Sequence, residues 1–396
     1  MSSDLLNQDI VIVAAKRTPM GGFQGALSSV ASPKLAATAI KGLMQHSGLK
    51  GEQVDEVLMG CVLPAGLGQA PARQATLGAE LPLSVGATTV NKVCGSGMKT
   101  VMLAHDLIRA GSANVVIAGG MENMSQAPYL LDKARGGMRM GHGKVLDHMF
   151  LDGLEDAYTG GAMGTFAQNT ADDFKLTREQ MDNFALSSLE KANAAINTGA
   201  FEAEITPVTV ANRRGDIVVN TDEQPGNARP DKIPTLRPAF AKDGTITAAN
   251  SSSISDGAAA VMLMTRAQAA ELGLDVMATI KGHTTHAQEP SMFTTAPVGA
   301  MNKLLDKVNW SKEEVDLFEI NEAFAMVTML AVSELGLDIE KVNVNGGACA
   351  LGHPIGCSGA RLLVTLIHAL KARGLNKGVA SLCIGGGEAT AMAIEL

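Results

Sequence analysis

The feature that most narrows what this chain can fold into is its resemblance to itself. Cys94-Gly-Ser-Gly opens a stretch of helical period, Met98–Arg109, with apolar Met98, Val101, Met102, Leu107 and Ile108. Gly111, a strand-like run Val115–Ala118 and Gly119-Gly120-Met121-Glu122 follow. Far downstream, Cys357-Ser-Gly opens a second helical stretch, Arg361–Lys371, followed by Gly374, the run Val379–Cys383 and Gly385-Gly386-Gly387-Glu388. Upstream, Val54-Asp55 before one strand answers Val315-Asp316 before another. Turn, helix, glycine, strand and paired glycines recur in one order at nearly constant separation, so the chain reads as two copies of one α/β unit. Short β-branched runs (Val54–Met59, Thr88–Val93, Val315–Ile320, Gly378–Ile384) alternate with Ala- and Leu-rich segments of helical period. That alternation is the pattern of parallel strands joined by crossover helices.

Between the copies the pattern lapses. Here lie Met-Arg-Met-Gly-His-Gly-Lys, a helical stretch over Thr177–Thr198, and a polar segment, Asn212–Pro238, with Arg213, Arg214, Arg229, Lys232 and Arg237. This reads as an insertion after the fourth strand of the first copy, and long insertions in α/β enzymes usually carry ligand contacts. The apolar run Gly257–Met264 then resumes the first copy. The expected division is a first half over residues 1–122 completed by 256–276, an inserted loop domain over 123–255, and a second half over 277–396.

Charge limits the partners. A net charge of −8 argues against nucleic acid or a membrane surface, both of which call for basic stripes. A local basic patch for a phosphorylated ligand remains compatible with it. Hydrophobic residues make up 46% of the chain but aromatics only 3%, so the core is built from Ala, Val, Ile, Leu and Met. The 43 glycines suit close helix–sheet contacts. The five cysteines, Cys61, Cys94, Cys349, Cys357 and Cys383, are odd in number and scattered. No Cys-x-x-Cys pair or histidine cluster suggests zinc, and free thiols in a reducing, cytoplasmic compartment are the simpler reading. The run Ile10–Ala15 is too short for a signal or a membrane span, and no other run reaches about 18 apolar residues.

Several residues stand where chemistry could be done. Cys94 sits between a strand and a helix, similar in kind to a nucleophile elbow, and unpaired N–H groups at the helix start are expected to lower its pKa. Cys383 precedes a glycine run that no helix follows, so a hairpin exposing the thiol and free N–H groups fits better than a phosphate loop. His353, in Gly-His-Pro-Ile-Gly, is expected at an exposed, backbone-lined corner. Asn321 and Glu322 fall at the carboxyl end of a parallel strand, where α/β sites form; as an alternative, Asn321 caps the following helix.

Four motifs together carry a resemblance: Asn91-Lys-Val-Cys-Gly-Ser-Gly, Asn321-Glu-Ala-Phe, Gly352-His-Pro-Ile-Gly-Cys-Ser-Gly-Ala-Arg and Cys383-Ile-Gly-Gly-Gly. In order and spacing they resemble the thiolase family over nearly the whole chain, from about Ile10 to Leu396, and the opening Ala15-Lys-Arg-Thr-Pro-Met-Gly is similar too. The resemblance implies an α/β thiolase fold, two βαβ-type halves packed as αβαβα layers with an inserted loop domain. It implies an acyltransferase that condenses two acetyl-CoA to acetoacetyl-CoA and CoA, reversibly, in lipid and fatty acid metabolism. It implies no metal and no redox cofactor. A degradative thiolase of broader chain length is the near alternative, and an inactive CoA- or lipid-binding subunit the distant one. Related condensing enzymes of the same fold would lack Cys383.

Carried over by motif, the resemblance makes Cys94 the acyl-accepting nucleophile, His353 its base and Cys383 the acid/base at C2 of the second thioester. Asn321 would hold a water that helps His353 stabilise the enolate, and the N–H groups of Cys94 and Gly385 would form a second oxyanion hole. The loop domain would cover CoA, with Ser252 near the pantetheine arm and Met163, Phe240 and Leu154 lining the pocket. Arg229 and Lys232, among the five basic residues of the insertion, are candidates for the CoA phosphates. The chain departs from many short-chain members at Ala162, where they carry histidine, and at Phe293, where they carry methionine. A homotetramer, a dimer of dimers, is the implied assembly, with 125–143 as the inter-dimer loop.

Overall fold

The computed structural model describes residues 8–396. The first half contributes β1 (Ile10–Arg17), β2 (Glu56–Gly60), β3 (Gly86–Val90), β4 (Val116–Asn123) and β5 (Ser255–Thr265), and the second β6 (Ala278–Ala287), β7 (Leu317–Ile320), β8 (Lys377–Ile384) and β9 (Glu388–Glu395). The first-half order is β3-β2-β4-β5-β1. Strands β3, β2 and β4 run parallel, and β5 is antiparallel to both β4 and β1. The second half repeats this plan as β7-β8-β9-β6, with β7 and β8 parallel and the remaining pairs antiparallel. A parallel bridge from Phe318 to Val342 stands where β3 stands in the first half. Only Val11–Thr279 and Ile12–Ala278 pair across the seam between β1 and β6.

The repeated Val-Asp pairs do one job twice. Asp55 Oδ2 accepts from the N–H groups of Asn114 and Val115, at 2.6 and 3.0 Å. Asp316 Oδ2 accepts from Asn376 and Lys377, at 2.9 and 2.8 Å. Each aspartate thus holds the turn that leads into the neighbouring parallel strand, β4 or β8, and satisfies N–H groups that the ladder leaves free.

Eight helices of eight or more residues dress these sheets among the described residues: α1 (Ser32–Ser47), α2 (Pro71–Gly78), α3 (Ser96–Arg109), α4 (Met163–Asp173), α5 (Arg178–Asn197), α6 (Ala296–Val308), α7 (Ala325–Leu335) and α8 (Ser358–Arg373). Three apolar clusters define five layers, αβαβα. One lies between α1–α2 and the outer face of the first sheet, and one between α6–α7 and the outer face of the second. The largest joins α3 and α8 to inner-face residues of both sheets. Helix α8 is buried on every side from Ser358 to Leu370, as a helix enclosed by two sheets must be.

The glycines that open the two repeated helices explain their own recurrence. A Cβ on Gly97 would stand 2.8 Å from Ala360 N, and one on Gly359 would stand 2.4 Å from Met98 N. The starts of α3 and α8 therefore cross backbone to backbone. Gly97→Val is expected to destabilise by at least about 1–3 kcal/mol through overpacking. The same substitution at Gly374, where a Cβ meets open space but φ is +64°, should act through backbone strain alone. Urea unfolding of the two variants tests this; equal midpoints with no loss at Gly97 would contradict the close crossing.

Within residues 123–255, α5 starts one residue later than the expected helix because Thr177 and Gln180 form a capping box ahead of it. Strands Val208–Val210 and Ile217–Val219 pair as a hairpin. The segment is pinned to the first half by Arg17, which is fully buried and pairs with Glu204 (2.5 Å) and, through both ends of its guanidinium, with Asp222 (2.6 and 2.8 Å). A buried cation needs such pairing, and this one accounts for the arginine of the opening motif. No described helix is long and apolar enough to cross a membrane.

Candidate active site

The chain leaves β3 at Val90 and reverses over Asn91–Gly95 into α3. Val93 adopts φ +47°, a left-handed conformation unusual for a β-branched residue. Hydrogen bonds hold it there. Asn91 Oδ1 accepts from Val93 N–H at 2.9 Å, and Ser96 Oγ accepts from Lys92 N–H at 2.8 Å while donating to Val93 O at 2.7 Å. Lys92 is ion-paired with Glu388, which ties this turn to the β8–β9 hairpin. The result is an elbow that presents Cys94 just ahead of α3.

The Cys94 thiol does not behave as its position in sequence predicts. The backbone N–H groups of Gly385 and of Cys94 itself favour the thiolate, but burial outweighs them and pushes the thiol up to about 11. The residue as a whole is half-buried, yet its sulfur is enclosed, with Val62, Leu63, Met149, Leu154 and Ile355 in the adjoining apolar cluster. Desolvation of the anion costs more here than the helix start returns.

The second half supplies the partners. Asn321 follows β7, fixed by its N–H to Ser381 O at 3.0 Å. It is not a helix cap: α7 begins at Ala325 with Phe324 at the cap position. Asn321 Nδ2 lies 3.5 Å from His353 Nε2, and Asn321 Oδ1 is buried without a protein partner. His353 Nδ1 is 2.5 Å from Ser358 Oγ, whose hydroxyl lies 3.0 Å from Pro354 O. If Ser358 spends its one proton on Pro354 O, His353 carries its proton on Nδ1 and keeps Nε2 as a lone-pair base. The expected exposed corner is in fact closed, since His353 is 5% exposed; burial, aided by the charge of Arg361, lowers its pKa to about 3. Cys383 stands one residue before the end of β8, in the expected hairpin with β9, but its thiol is buried, not exposed. Burial and the neighbouring Cys94 push it well above the usual thiol range.

Two buried carboxylates frame this group: Glu322, which the sequence places with Asn321 at a strand end, and Glu122, to which it assigns no role. Glu122 accepts from Val62, Leu63 and Gly356 N–H groups at 2.9, 3.1 and 2.9 Å, and burial raises it to about 7. It joins the loop after β2 to the His353 loop. Glu322 accepts from Ser188 Oγ at 2.7 Å, Asn343 Nδ2 at 2.8 Å and Cys349 N–H at 3.0 Å. It binds α5 of the insertion to the second half. The only sequence signals were the closing position of the Gly-Gly-Met-Glu repeat for Glu122 and adjacency to Asn321 for Glu322.

Of the pocket candidates, Met163 begins α4 beside Gly385, whose Cβ would stand 3.3 Å from its sulfur. Phe293 and Cys383 share one cluster with Met163 packed against it, and Leu154 packs in the cluster that Cys94 adjoins. Phe240 lies over Gly164 and meets Phe324 edge-on at 6.3 Å. Ser252 is tied through both N–H and Oγ to Ala323 O, each at 3.0 Å. A cleft of about 360 Å³ is lined by Arg229, Lys232, Leu236, Ala248, Ser253 and Cys349, among others. The catalytic candidates do not line it themselves, but its Ser253 accepts from His353 N–H at 3.1 Å. Arg213, Arg214 and Arg237 do not line it; the first two fall in the exposed turn of the Val208–Val219 hairpin.

This chain belongs to the thiolase family: the profile of the thiolase N-terminal domain matches residues 10–267 and that of the C-terminal domain residues 274–396. Among its relatives is the acetyl-CoA acetyltransferase of Pseudomonas aeruginosa, 51% identical over 389 residues, which are 98% of this chain and 99% of the relative. Acetyl-CoA acetyltransferase 2 of Arabidopsis thaliana is 50% identical over 392 residues, 98% of this chain and 97% of the relative. The crystal structure of the Bacillus anthracis acetyl-CoA acetyltransferase matches with a TM-score of 0.96 at 43% identity, covering 98% of each chain.

Proposed function

We propose that this protein is an acetyl-CoA C-acetyltransferase, joining two acetyl-CoA into acetoacetyl-CoA and CoA and running the reaction in reverse as thiolysis. The observation that carries the chemistry is the meeting of two thiols from opposite halves, Cys94 and Cys383; the second half also supplies the neutral imidazole of His353, 3.5 Å from Asn321 Nδ2. His353 Nε2 takes the Cys94 proton as sulfur attacks the thioester carbonyl, and the Cys94 and Gly385 N–H groups receive the oxyanion. Such donors are worth about 10²–10³ in rate each. Cys383 starts as a neutral thiol, so it must lose its proton before it can act as a base. The CoA thiolate expelled during acylation is the base available for that, and it leaves as CoA. The buried Cys383 thiolate then removes a proton from C2 of the second acetyl-CoA, with protonated His353 and a water held by Asn321 on the enolate oxygen. The enolate attacks acetyl-Cys94, the Cys94 thiolate departs, and His353 returns its proton.

Substrates are short in this reading. Phe293 is 3% exposed, and Met163 and Phe240 crowd the same end of the site, while Ala162 leaves space beside them. In this reading each added methylene meets Met163, Phe240 or Phe293, where overpacking costs about 1–3 kcal/mol. The kcat/KM for thiolysis is expected to fall at least about tenfold from acetoacetyl-CoA to 3-ketohexanoyl-CoA, as 1.4 kcal/mol requires. A higher value for the six-carbon substrate would sink the short-chain assignment while leaving the thiolase chemistry standing.

Arg229 and Lys232 at the cleft are the favoured contacts for the CoA phosphates. Neutralising both is expected to raise the KM for acetyl-CoA by about 2–30-fold and to flatten its dependence on salt. An unchanged KM and salt slope would remove them.

A cytoplasmic homotetramer fits the exposed edge of β3 and the exposed apolar side chains Tyr129, Leu131, Met138, Met140 and Val145, which a second copy would cover. Deletion within 125–143 should leave dimers in sedimentation.

A further inference from the structure

His105 and Asp106 are consecutive residues near the end of α3, in the first half. His283 lies on β6, in the second half, 178 residues from His105. Their side chains converge. His105 Nδ1 is 2.9 Å from Asp106 Oδ1, and His283 Nε2 is 3.1 Å from that same oxygen and 3.3 Å from His105 Nδ1. Three atoms, one from each residue, therefore form a nearly equilateral triangle. The two rings meet edge to face with centroids 4.9 Å apart. Both histidine side chains are 12% exposed, while Asp106 is 56% exposed, so the triangle opens to solvent on the carboxylate side.

Hydrogen bonding accounts for this arrangement less well than ligation does. As hydrogen bonds, two N–H groups would share one carboxylate oxygen and crowd each other at 3.3 Å. As ligands, the three atoms could share one ion set between them. A tetrahedral zinc ion with ligands at about 2.0–2.1 Å sets its donor atoms about 3.3 Å apart, close to the three spacings found here. The nearest cations, Arg109 and Lys307, work against an ion at this place, but the Lys307 ammonium is already engaged with His283 O at 3.0 Å.

We propose that His105, Asp106 and His283 bind a divalent first-row transition ion of the zinc class, with water completing the shell on the Asp106 side, and that this ion clips α3 of one half to β6 of the other. The site is structural and lies apart from the groups assigned to catalysis. No residue spacing in the sequence announces it, because the third ligand comes from the other half.

The full-length protein, first treated with chelator and then titrated with zinc chloride alone, tests this by X-ray absorption at the zinc edge and by thermal unfolding. One ion per chain is expected in a shell containing nitrogen and oxygen at about 2.0–2.1 Å, with a rise in Tm, because an ion that binds only the folded chain stabilises it. His283→Gln and Asp106→Asn should each abolish that ion and the rise in Tm, while keeping the metal-free Tm within a few degrees and condensation activity unchanged. A shell made only of sulfur at about 2.3 Å would place the ion on the thiols and overturn the proposal. So would equal zinc uptake in both variants, or no uptake by the unsubstituted protein with zinc in excess, which would leave a hydrogen-bonded cluster only.

Discussion

Cys94→Ala is expected to carry no acetyl group after incubation with acetyl-CoA, whereas Cys383→Ala is expected to carry one, on Cys94. Cys94 sits in the elbow, where the backbone N–H groups of Gly385 and of Cys94 itself favour its thiolate, the setting of the acyl acceptor. Cys383 is fully buried beside it without such donors from a second residue, the setting of a proton carrier. Removing the nucleophile ends both half-reactions. Removing the acid/base ends condensation by a factor of about 10²–10⁴ but leaves attack on the first thioester possible, since a water can protonate the departing CoA. Intact-protein mass spectrometry reads the adduct directly. An acetyl group on Cys94→Ala, or none on Cys383→Ala, would overturn the division of labour.

The second large effect concerns pH. In many cysteine enzymes the thiol and histidine form an ion pair, and reactivity levels off at low pH. Here burial holds His353 near 3 and Cys94 near 11, so the resting pair is neutral. Alkylation of Cys94 by iodoacetamide should then climb about tenfold per pH unit, about 10³-fold between pH 7 and pH 10, as the thiolate fraction grows. Peptide mapping of Cys94 against pH measures it. A plateau setting in below pH 7 would show a preformed ion pair and would move proton transfer out of the acylation step.

The duplication was legible because it rests on backbone constraints that leave marks in the sequence. Gly97 and Gly359 recur because two helix starts touch, and Asp55 and Asp316 recur because each holds one turn. The candidate catalytic residues were legible through the family resemblance, and the structure brings Cys94 near Cys383 across the two halves and Asn321 to 3.5 Å from His353 within the second. What the sequence could not convey is enclosure. A helix start beside Cys94 suggests a lowered pKa, but the side chains that desolvate the sulfur, such as Met149 and Ile355, arrive from distant segments. The same holds for His353, whose Gly-Pro surroundings suggest exposure until the Ser253 segment covers it. The basic segment 212–238 was visible as a cluster, yet a hairpin turn carries Arg213 and Arg214 away from the cleft that Arg229 and Lys232 line.

The placement of β9 has a consequence for how this enzyme is made. That strand lies between β8 and β6, inside its sheet, with Ala389–Ile394 all buried. The central layer, meanwhile, needs α8 against α3. A nascent chain that has already exposed the apolar side of α3 cannot cover it until residues 358–395 have left the ribosome. At about 5–20 residues per second, that wait lasts tens of seconds, roughly 14–57 s. Overproduction should therefore draw on holding chaperones, and variants that weaken β9 should be lost to aggregation during synthesis rather than to unfolding afterwards.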